Sequence, residues 1–231
     1  LFLRDDDIPQ YVEQGVADLG ILGENEVWEK GKEVTQLEKL GFASCKIVLA
    51  IPKDEVYSGL SWFRDKKIAT SYPSILRNFF KGHEIEVQIE EIGGSVEIAT
   101  GIGLADAIFD IVSTGSTLML NGLKEAEVVS RSEAILIANP NLNAEKIKTV
   151  DRLLFRIKAV RNASANKYIL LNAPDTAIAG ICQILPGMKS PTILPLATPG
   201  WSSLHSVIRE DEFWDIIDQL KDHGAEGILV V

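Results

Sequence analysis

Residues 93–123, GGSVEIATGIGLADAIFDIVSTGSTLMLNGL, constrain the fold more than any other stretch of the chain. The run Ala107, Ile108, Phe109, Ile111 and Val112 is apolar and carries one embedded acid, Asp110. It breaks at Ser113-Thr114-Gly115-Ser116-Thr117, resumes as a helical pattern through Leu118 and Leu120, and stops at Gly122. This predicts a strand, a hydroxyl-rich glycine turn and a short helix. At such a turn several backbone N–H groups converge among hydroxyls, which suits a phosphate or a carboxylate. The same residues can also serve only as a helix cap, because Ser and Thr satisfy the free N–H groups of a first turn. No Gly-Lys-Ser/Thr follows, so this is not a Walker A loop.

The rest of the first 140 residues alternates in the same way. Asp7 is placed to cap a helix from Ile8 to Gln14, with Pro9 in its first turn and Gly15 as the stop. Val16 to Gly23 suits a buried strand, and Gly103 to Ile108 opens a second one with the same Gly-apolar-Ala-Asp echo. Lys46 to Ile51 and Ile68 to Thr70 are further strands. Ser71-Tyr72-Pro73 starts a helix that turns Ile75, Leu76, Phe79 and Phe80 inward and ends at Gly82. Val87 to Ile92 is another strand, and Val128 to Ala138 is a strand pair or one long strand. Such alternation predicts an α/β fold with largely parallel sheets.

The pattern changes after Pro140. Ile147, Val150, Leu153, Leu154, Ile157 and Val160 recur at helical spacing and predict an amphipathic helix from Glu145 to Val160. Beyond it come a strand (168–171), a helix (175–185), two strands (192–196 and 204–208), a helix (210–223) and a final strand (227–231). The order βαββαβ is that of a ferredoxin-like unit.

Charge and composition exclude several classes. A net charge of −10 argues against a nucleic-acid partner or an anionic membrane surface. It does not exclude a polyphosphate, since exposed charges are screened over about 8 Å while an N–H cradle acts at contact distance. Cys45 and Cys182 lie far apart among apolar residues and read as buried reduced thiols. His83, His205 and His223 do not pair at ligand spacing, which argues against a His-based zinc site or a Ser-His-Asp triad. Leu1–Arg4 reads as the end of a buried strand, so the sequence is expected to start inside a domain.

Gly94-Ser95-Val96-Glu97, Gly103-Leu104-Ala105-Asp106-Ala107-Ile108, Asp110-x-Val112-Ser113-Thr114-Gly115-x-Thr117-Leu118 and Asn121-Gly122-Leu123 stand in the order found in ATP phosphoribosyltransferases. Arg4 to Pro9, Gly20 to Asn25 and Ile68 to Pro73 also resemble that family, as do Pro186-Gly187-Met188, Pro191 to Leu196 and Gly224 to Val230 in the tail. The resemblance covers essentially the whole chain. It implies transfer of the 5-phosphoribosyl group from phosphoribosyl diphosphate to N1 of ATP, the first step of histidine biosynthesis, in the long form that histidine inhibits. It also implies Mg²⁺, the cytoplasm, and a homo-oligomer passing from dimer to hexamer.

The implied fold is a two-lobed, periplasmic-binding-protein-like core with a C-terminal ferredoxin-like, ACT-like βαββαβ domain. Lobe I is expected at 1–50 and 128–142, lobe II at 51–127, and the linker helix with the regulatory domain at 143–231. Ser113, Thr114, Gly115, Ser116 and Thr117 are expected at the ribose 5-phosphate, and Asp110 and Glu97 are the expected catalytic pair, Asp110 at the ribose hydroxyls and Glu97 at the ribose or the metal shell. Arg4, Asp5, Asp6 and Tyr72 are expected at ATP, and Met188, Thr192 and Gly227 at regulatory histidine; no metal ligands are assigned. Open alternatives remain: a solvated acid run at Asp5-Asp6-Asp7, a simply packed Tyr72, a surface or turn-stabilising Asp110, a helix first-turn acid at Glu97, and ordinary loops at Met188, Thr192 and Gly227. The family's opening strand and Lys-x-Gly-Arg-Leu segment, and a short C-terminal extension, have no counterpart here, so residues 1–231 alone are expected to turn over poorly. The rival function is a non-catalytic two-lobed protein that closes on a small anion.

Overall fold

The computed structural model describes residues 1–185, 187 and 189–231. They form two compact units, Leu1–Ala144 and Glu145–Val231. No helix among the described residues is long and apolar enough to cross a membrane.

The first unit is built on two sheets. Helix α1 (Ile8–Glu13) leads into β1 (Leu19–Gly23), α2 (Glu24–Lys30) and β2 (Thr35–Lys39). β3 (Cys45–Pro52), β4 (Lys67–Thr70), α3 (Pro73–Gly82), β5 (Gln88–Glu91), β6 (Ala107–Val112) and α4 (Ser116–Leu120) follow. β7 (Leu123–Ser132) and β8 (Ala134–Ala138) close the unit.

The smaller sheet has the order β1-β8-β2, with both pairs antiparallel. α1 lies directly on it. A Cβ at Gly20 would stand 2.5 Å from Ile8 Cγ2 and 3.0 Å from Val12 Cγ2, so only glycine permits this approach. The larger sheet has the order β5-β4-β6-β3-β7. Its central strands are covered on both faces. Ile47, Leu49, Ile51, Ala107 and Phe109 pack to one side with Phe63, Leu76 and Phe80. Val48, Ala50, Ile108 and Val112 pack to the other with Val96, Leu118 and Leu123. The strand period of two therefore appears as unbroken apolar runs, which is why KIVLAI and AIF are legible as strands.

Several expectations need correction. The sheets are not largely parallel. Only β4 runs parallel to its neighbours β5 and β6, while β3 runs against β6 and β7. Every antiparallel pair of this unit includes β3 or β8, the two strands that the chain enters as it passes from one sheet to the other. The lobe boundaries also shift. All of β3 and β7 belongs to the larger sheet, so the chain crosses at residues 40–44 and at Glu133, rather than after residue 50 and before residue 128. Leu40 N–H donates to Ala134 O (2.8 Å) and Ala134 N–H to Phe42 O (3.0 Å), which ties the two crossings together. Asp7 occupies the N-cap of α1 without a side-chain bond. Leu1 and Phe2 are almost wholly exposed and pair with no strand among the described residues.

The second unit begins with α5 (Ala144–Ala165) and continues through β9 (Asn166–Pro174), α6 (Ile178–Ile184), β10 (Thr192–Pro195), β11 (Trp201–Arg209), α7 (Glu210–Asp222) and β12 (Glu226–Val230). The sheet order β10-β11-β9-β12, antiparallel throughout, is the ferredoxin-like arrangement. Ile169, Leu171, Leu204 and Ile208 pack against Ile181, Phe213 and Leu220 of the two helices. On α5 only Val150 is buried; Ile147, Leu153 and Val160 are exposed despite their helical spacing.

Candidate active site

β6 ends at Val112, and the chain bends through Ser113, Thr114 and Gly115 into α4. Gly115 holds the N-cap position at φ 81°, a left-handed conformation that L side chains rarely adopt. Thr114 Oγ1 and Ser116 Oγ lie 3.0 Å apart, and Ser113, Thr114, Ser116 and Thr117 are all exposed. The bend thus carries four exposed hydroxyl residues beside the free backbone N–H groups of the α4 start.

Asp110 lies two residues before the end of the strand that delivers this bend. Ile111 N–H donates to its Oδ1 at 2.8 Å. Burial pushes the Asp110 carboxyl up to about 6; the Ile111 N–H pulls the other way, and the charge of Glu97 adds to the rise. Glu97 sits on a 3-10 turn (Val96–Ile98) that follows Ser95 in a left-handed conformation, φ 51°. The structure therefore brings Asp110, Glu97 and the bend together.

Opposite the bend stand cations that the sequence reading did not single out. Lys46 pairs across the sheet with Val112 on one side and Arg131 on the other. A cavity of about 420 Å³ is lined by Lys39, Lys46, Arg131, Ser113 and Cys45. Each lysine rests on a carboxylate. Lys46 Nζ meets both oxygens of Glu125 at 2.8 Å, and Lys39 Nζ meets Glu24 Oε2 at 2.8 Å. Burial pushes the Cys45 thiol up, so it is a poor nucleophile at neutral pH.

Arg4, Asp5, Asp6 and Tyr72 do converge, in a second cavity of about 580 Å³ that Glu26, Glu29 and Lys30 also line. Asp6 lies 3.5 Å from Arg4 and 3.6 Å from Lys30. The phenol of Tyr72 is held well above its ordinary range by burial and by the charges of Glu26 and Asp110. Glu24, Asn25 and Glu26 are three consecutive buried polar residues that carried no assigned role. Asn25 Nδ2 donates to Glu26 Oε1 (2.9 Å), and Ser132 Oγ donates to Asn25 Oδ1 (2.8 Å). Burial raises the Glu26 carboxyl, with Lys30 opposing. Their signal in the sequence was a polar triplet directly after a buried Gly-ended strand.

The regulatory residues are not gathered. Met188 lies outside the described residues. Thr192 is on β10 and Gly227 on β12, the two opposite edges of the sheet, about three strand spacings or ~14 Å apart. Among the described residues no group of three or more His, Cys, Asp and Glu side chains could hold a metal ion.

Comparison with known proteins identifies the family of the chain. The ATP phosphoribosyltransferase family profile matches residues 4–159, and the HisG C-terminal domain profile matches 163–231. The chain is 62% identical to the ATP phosphoribosyltransferase of Azobacteroides pseudotrichonymphae over 231 residues, all of this chain and 82% of that protein. Against the enzyme of the same name from Bacteroides thetaiotaomicron it is 59% identical, over the same shares. Among solved structures, the ATP phosphoribosyl transferase (HisG:HisZ) complex from Thermotoga maritima superposes with a TM-score of 0.62 and 29% identity, covering 69% of this chain and 78% of that one. The substrate binding protein of an amino acid ABC transporter superposes with a TM-score of 0.52 at 15% identity, over 70% of this chain and 73% of that one, which shows a shared fold alone. The rival reading as a binding protein is therefore not favoured, and this chain, over both of its units, belongs to the ATP phosphoribosyltransferase family.

Proposed function

We propose a division of labour for the transfer of the 5-phosphoribosyl group from phosphoribosyl diphosphate to N1 of ATP, the first step of histidine biosynthesis. The Ser113–Thr117 bend holds the ribose 5-phosphate through N–H and hydroxyl donors. Asp110 accepts hydrogen bonds from the ribose hydroxyls, and Glu97 supports it from the neighbouring turn. The cavity of Arg4, Asp5, Asp6 and Tyr72 takes ATP, with the Tyr72 ring as a stacking surface for adenine. Lys39, Lys46 and Arg131 face the diphosphate, exchanging their carboxylate partners for phosphate oxygens.

This distribution suits the chemistry. N1 of adenine carries a free lone pair at neutral pH, so bond formation needs no base. C1 of the ribose becomes oxocarbenium-like as pyrophosphate leaves, and the protein's task is alignment and stabilisation of charge. Mg²⁺ would ride on the diphosphate oxygens and spread their charge. It keeps several waters and takes only one or two carboxylates, a role open to Asp110 and Glu97. Histidine inhibits from the ferredoxin-like unit; a pocket using both Thr192 and Gly227 would need two copies edge to edge. Such pairing would suit assembly through dimers to hexamers, in the cytoplasm.

The observation that carries the reading is the hydroxyl-lined bend, with Asp110 three residues before its start and Lys46 across the sheet from Val112. The test is pyrophosphate release by the full-length protein with Mg²⁺, ATP and phosphoribosyl diphosphate, and then by Thr114→Ala and Thr117→Ala. Each hydrogen bond to a charged group is worth about 1.5–3 kcal/mol, so each variant should lose roughly ten- to a hundred-fold in kcat/KM for phosphoribosyl diphosphate. Unchanged use of that substrate would make the bend a plain helix cap.

A further inference from the structure

We infer that Glu29 is a positioning residue that ties closure of the cleft to the placement of Tyr72. The inference rests on the assignment of the Tyr72 cavity to ATP. α3 starts at Pro73 with Tyr72 at its N-cap, and no side chain of that segment caps it. An aromatic residue cannot do so. The cap comes from the other half of the unit instead. Ser74 N–H donates to both Glu29 oxygens (2.9 and 3.1 Å), and Ile75 N–H donates to Oε2 (3.0 Å). Glu29 lies on α2, which packs on the small sheet, 45 residues before Ser74. Glu26 lies three residues earlier on the same helix, hence on the same face, and lines the same cavity as Tyr72. One face of α2 therefore bears on Tyr72 twice, at the wall of its cavity and through the backbone just after it.

This arrangement differs from an ordinary cap in what it depends on. A Ser, Thr, Asp or Asn at position 72 would cap α3 whether the halves were together or apart. With Tyr72 there, the first turn of α3 is capped only when α2 stands against it. Separation of the halves leaves two N–H groups unpaired and releases the ring. The same bonds hold the Glu29 charge against two donors, which makes the cavity less hostile to an incoming polyanion.

The experiment uses the full-length protein with Glu29→Ala, Glu29→Asp and the isosteric Glu29→Gln. Hydrogen exchange is read at the Ser74 and Ile75 amides, alongside KM and kcat for each substrate. In Glu29→Ala and Glu29→Asp both amides should exchange faster, and KM for ATP should rise by about tenfold or more while KM for phosphoribosyl diphosphate and saturated kcat change little. Glu29→Gln, which keeps an acceptor of the same reach, should fall between them and wild type. Faster exchange with an unchanged KM for ATP would make Glu29 a purely structural cap and overturn the inference, as would unchanged exchange. If Glu29→Ala fails to fold, the aspartate and glutamine variants carry the same comparison. A wild-type protein that releases no pyrophosphate from the two substrates would instead remove the functional reading beneath it.

Discussion

Asp110→Asn should make the first unit more stable at neutral pH while removing its activity. The Asp110 carboxyl titrates at about 6 in the fold, against an ordinary 3.8, chiefly because it is buried. The folded state therefore holds the proton more tightly than the unfolded chain. Between those two values the native state binds a proton that the unfolded state has released, so stability falls as pH rises through the window. A gap of about two pH units corresponds to about 3 kcal/mol of destabilisation, absent below pH ~4 and complete above pH ~6. Asparagine is close to isosteric, keeps an oxygen for the Ile111 N–H, and carries no charge to bury. Its melting temperature should match wild type near pH 4 and exceed it by roughly 6–12 °C at pH 7.5, at about 2–4 °C per kcal/mol. Thermal melts of both proteins across pH 4–8, with activity measured in parallel, test this. A difference that does not grow with pH, or a variant less stable than wild type at pH 7.5, would refute the argument that ionised Asp110 is held against its preference. A variant that is more stable and still fully active would show that the charge serves no catalytic end.

Gly20→Ala should destabilise the first unit by about 1–3 kcal/mol, since its methyl would overlap Ile8 and crowd Val12; denaturant unfolding reads the loss. Gly115→Val should abolish use of phosphoribosyl diphosphate without unfolding the protein, because a β-branched residue at φ 81° distorts the bend; circular dichroism and pyrophosphate release separate the two effects. Histidine should inhibit non-competitively against phosphoribosyl diphosphate, with a coupling of about 1–3 kcal/mol, and variants at Thr192 or Gly227 should weaken it only where the protein is oligomeric; calorimetry and sedimentation check both.

What the sequence disclosed follows from how local the determinants were. β3 and β6 were legible because burial on both faces made them continuous apolar runs with turns at their ends. The bend at Ser113–Thr117 was legible because glycine and hydroxyl residues mark a turn wherever they stand. β2 was missed, since Thr35–Lys39 is an edge strand of mostly polar residues whose pairing with β8 is set by a partner about 100 residues away. α2 was missed for a similar reason. Its first three residues are polar, and their burial depends on Ser132 and Lys39, which no window around residue 24 contains. The exposed side chains of α5 show the converse failure, because periodicity records which face is apolar and says nothing of what packs there. Arg131 and Lys46 belong to one cavity only through strand register, and register is not written in either residue's neighbourhood.

The acidic character of the chain reads differently once these pairings are in view. A net charge of −10 would be a poor host for two polyphosphates if the acids were spread at random around the cleft. Several of them are matched to donors instead. Glu125 holds Lys46, Glu24 holds Lys39, Asp6 stands between Arg4 and Lys30, and Glu29 takes two backbone N–H groups. Each carboxylate keeps a donor ordered that would otherwise be solvated and mobile. A phosphate entering the 420 Å³ cavity can then replace a carboxylate at an already oriented ammonium, which lowers the ordering entropy that binding must overcome. Such exchange also limits affinity, because a phosphate oxygen reaches the ammonium only by displacing a carboxylate oxygen of the same charge type. For a transferase that must release a pyrophosphate as charged as the group it captured, that limit favours turnover over retention of product.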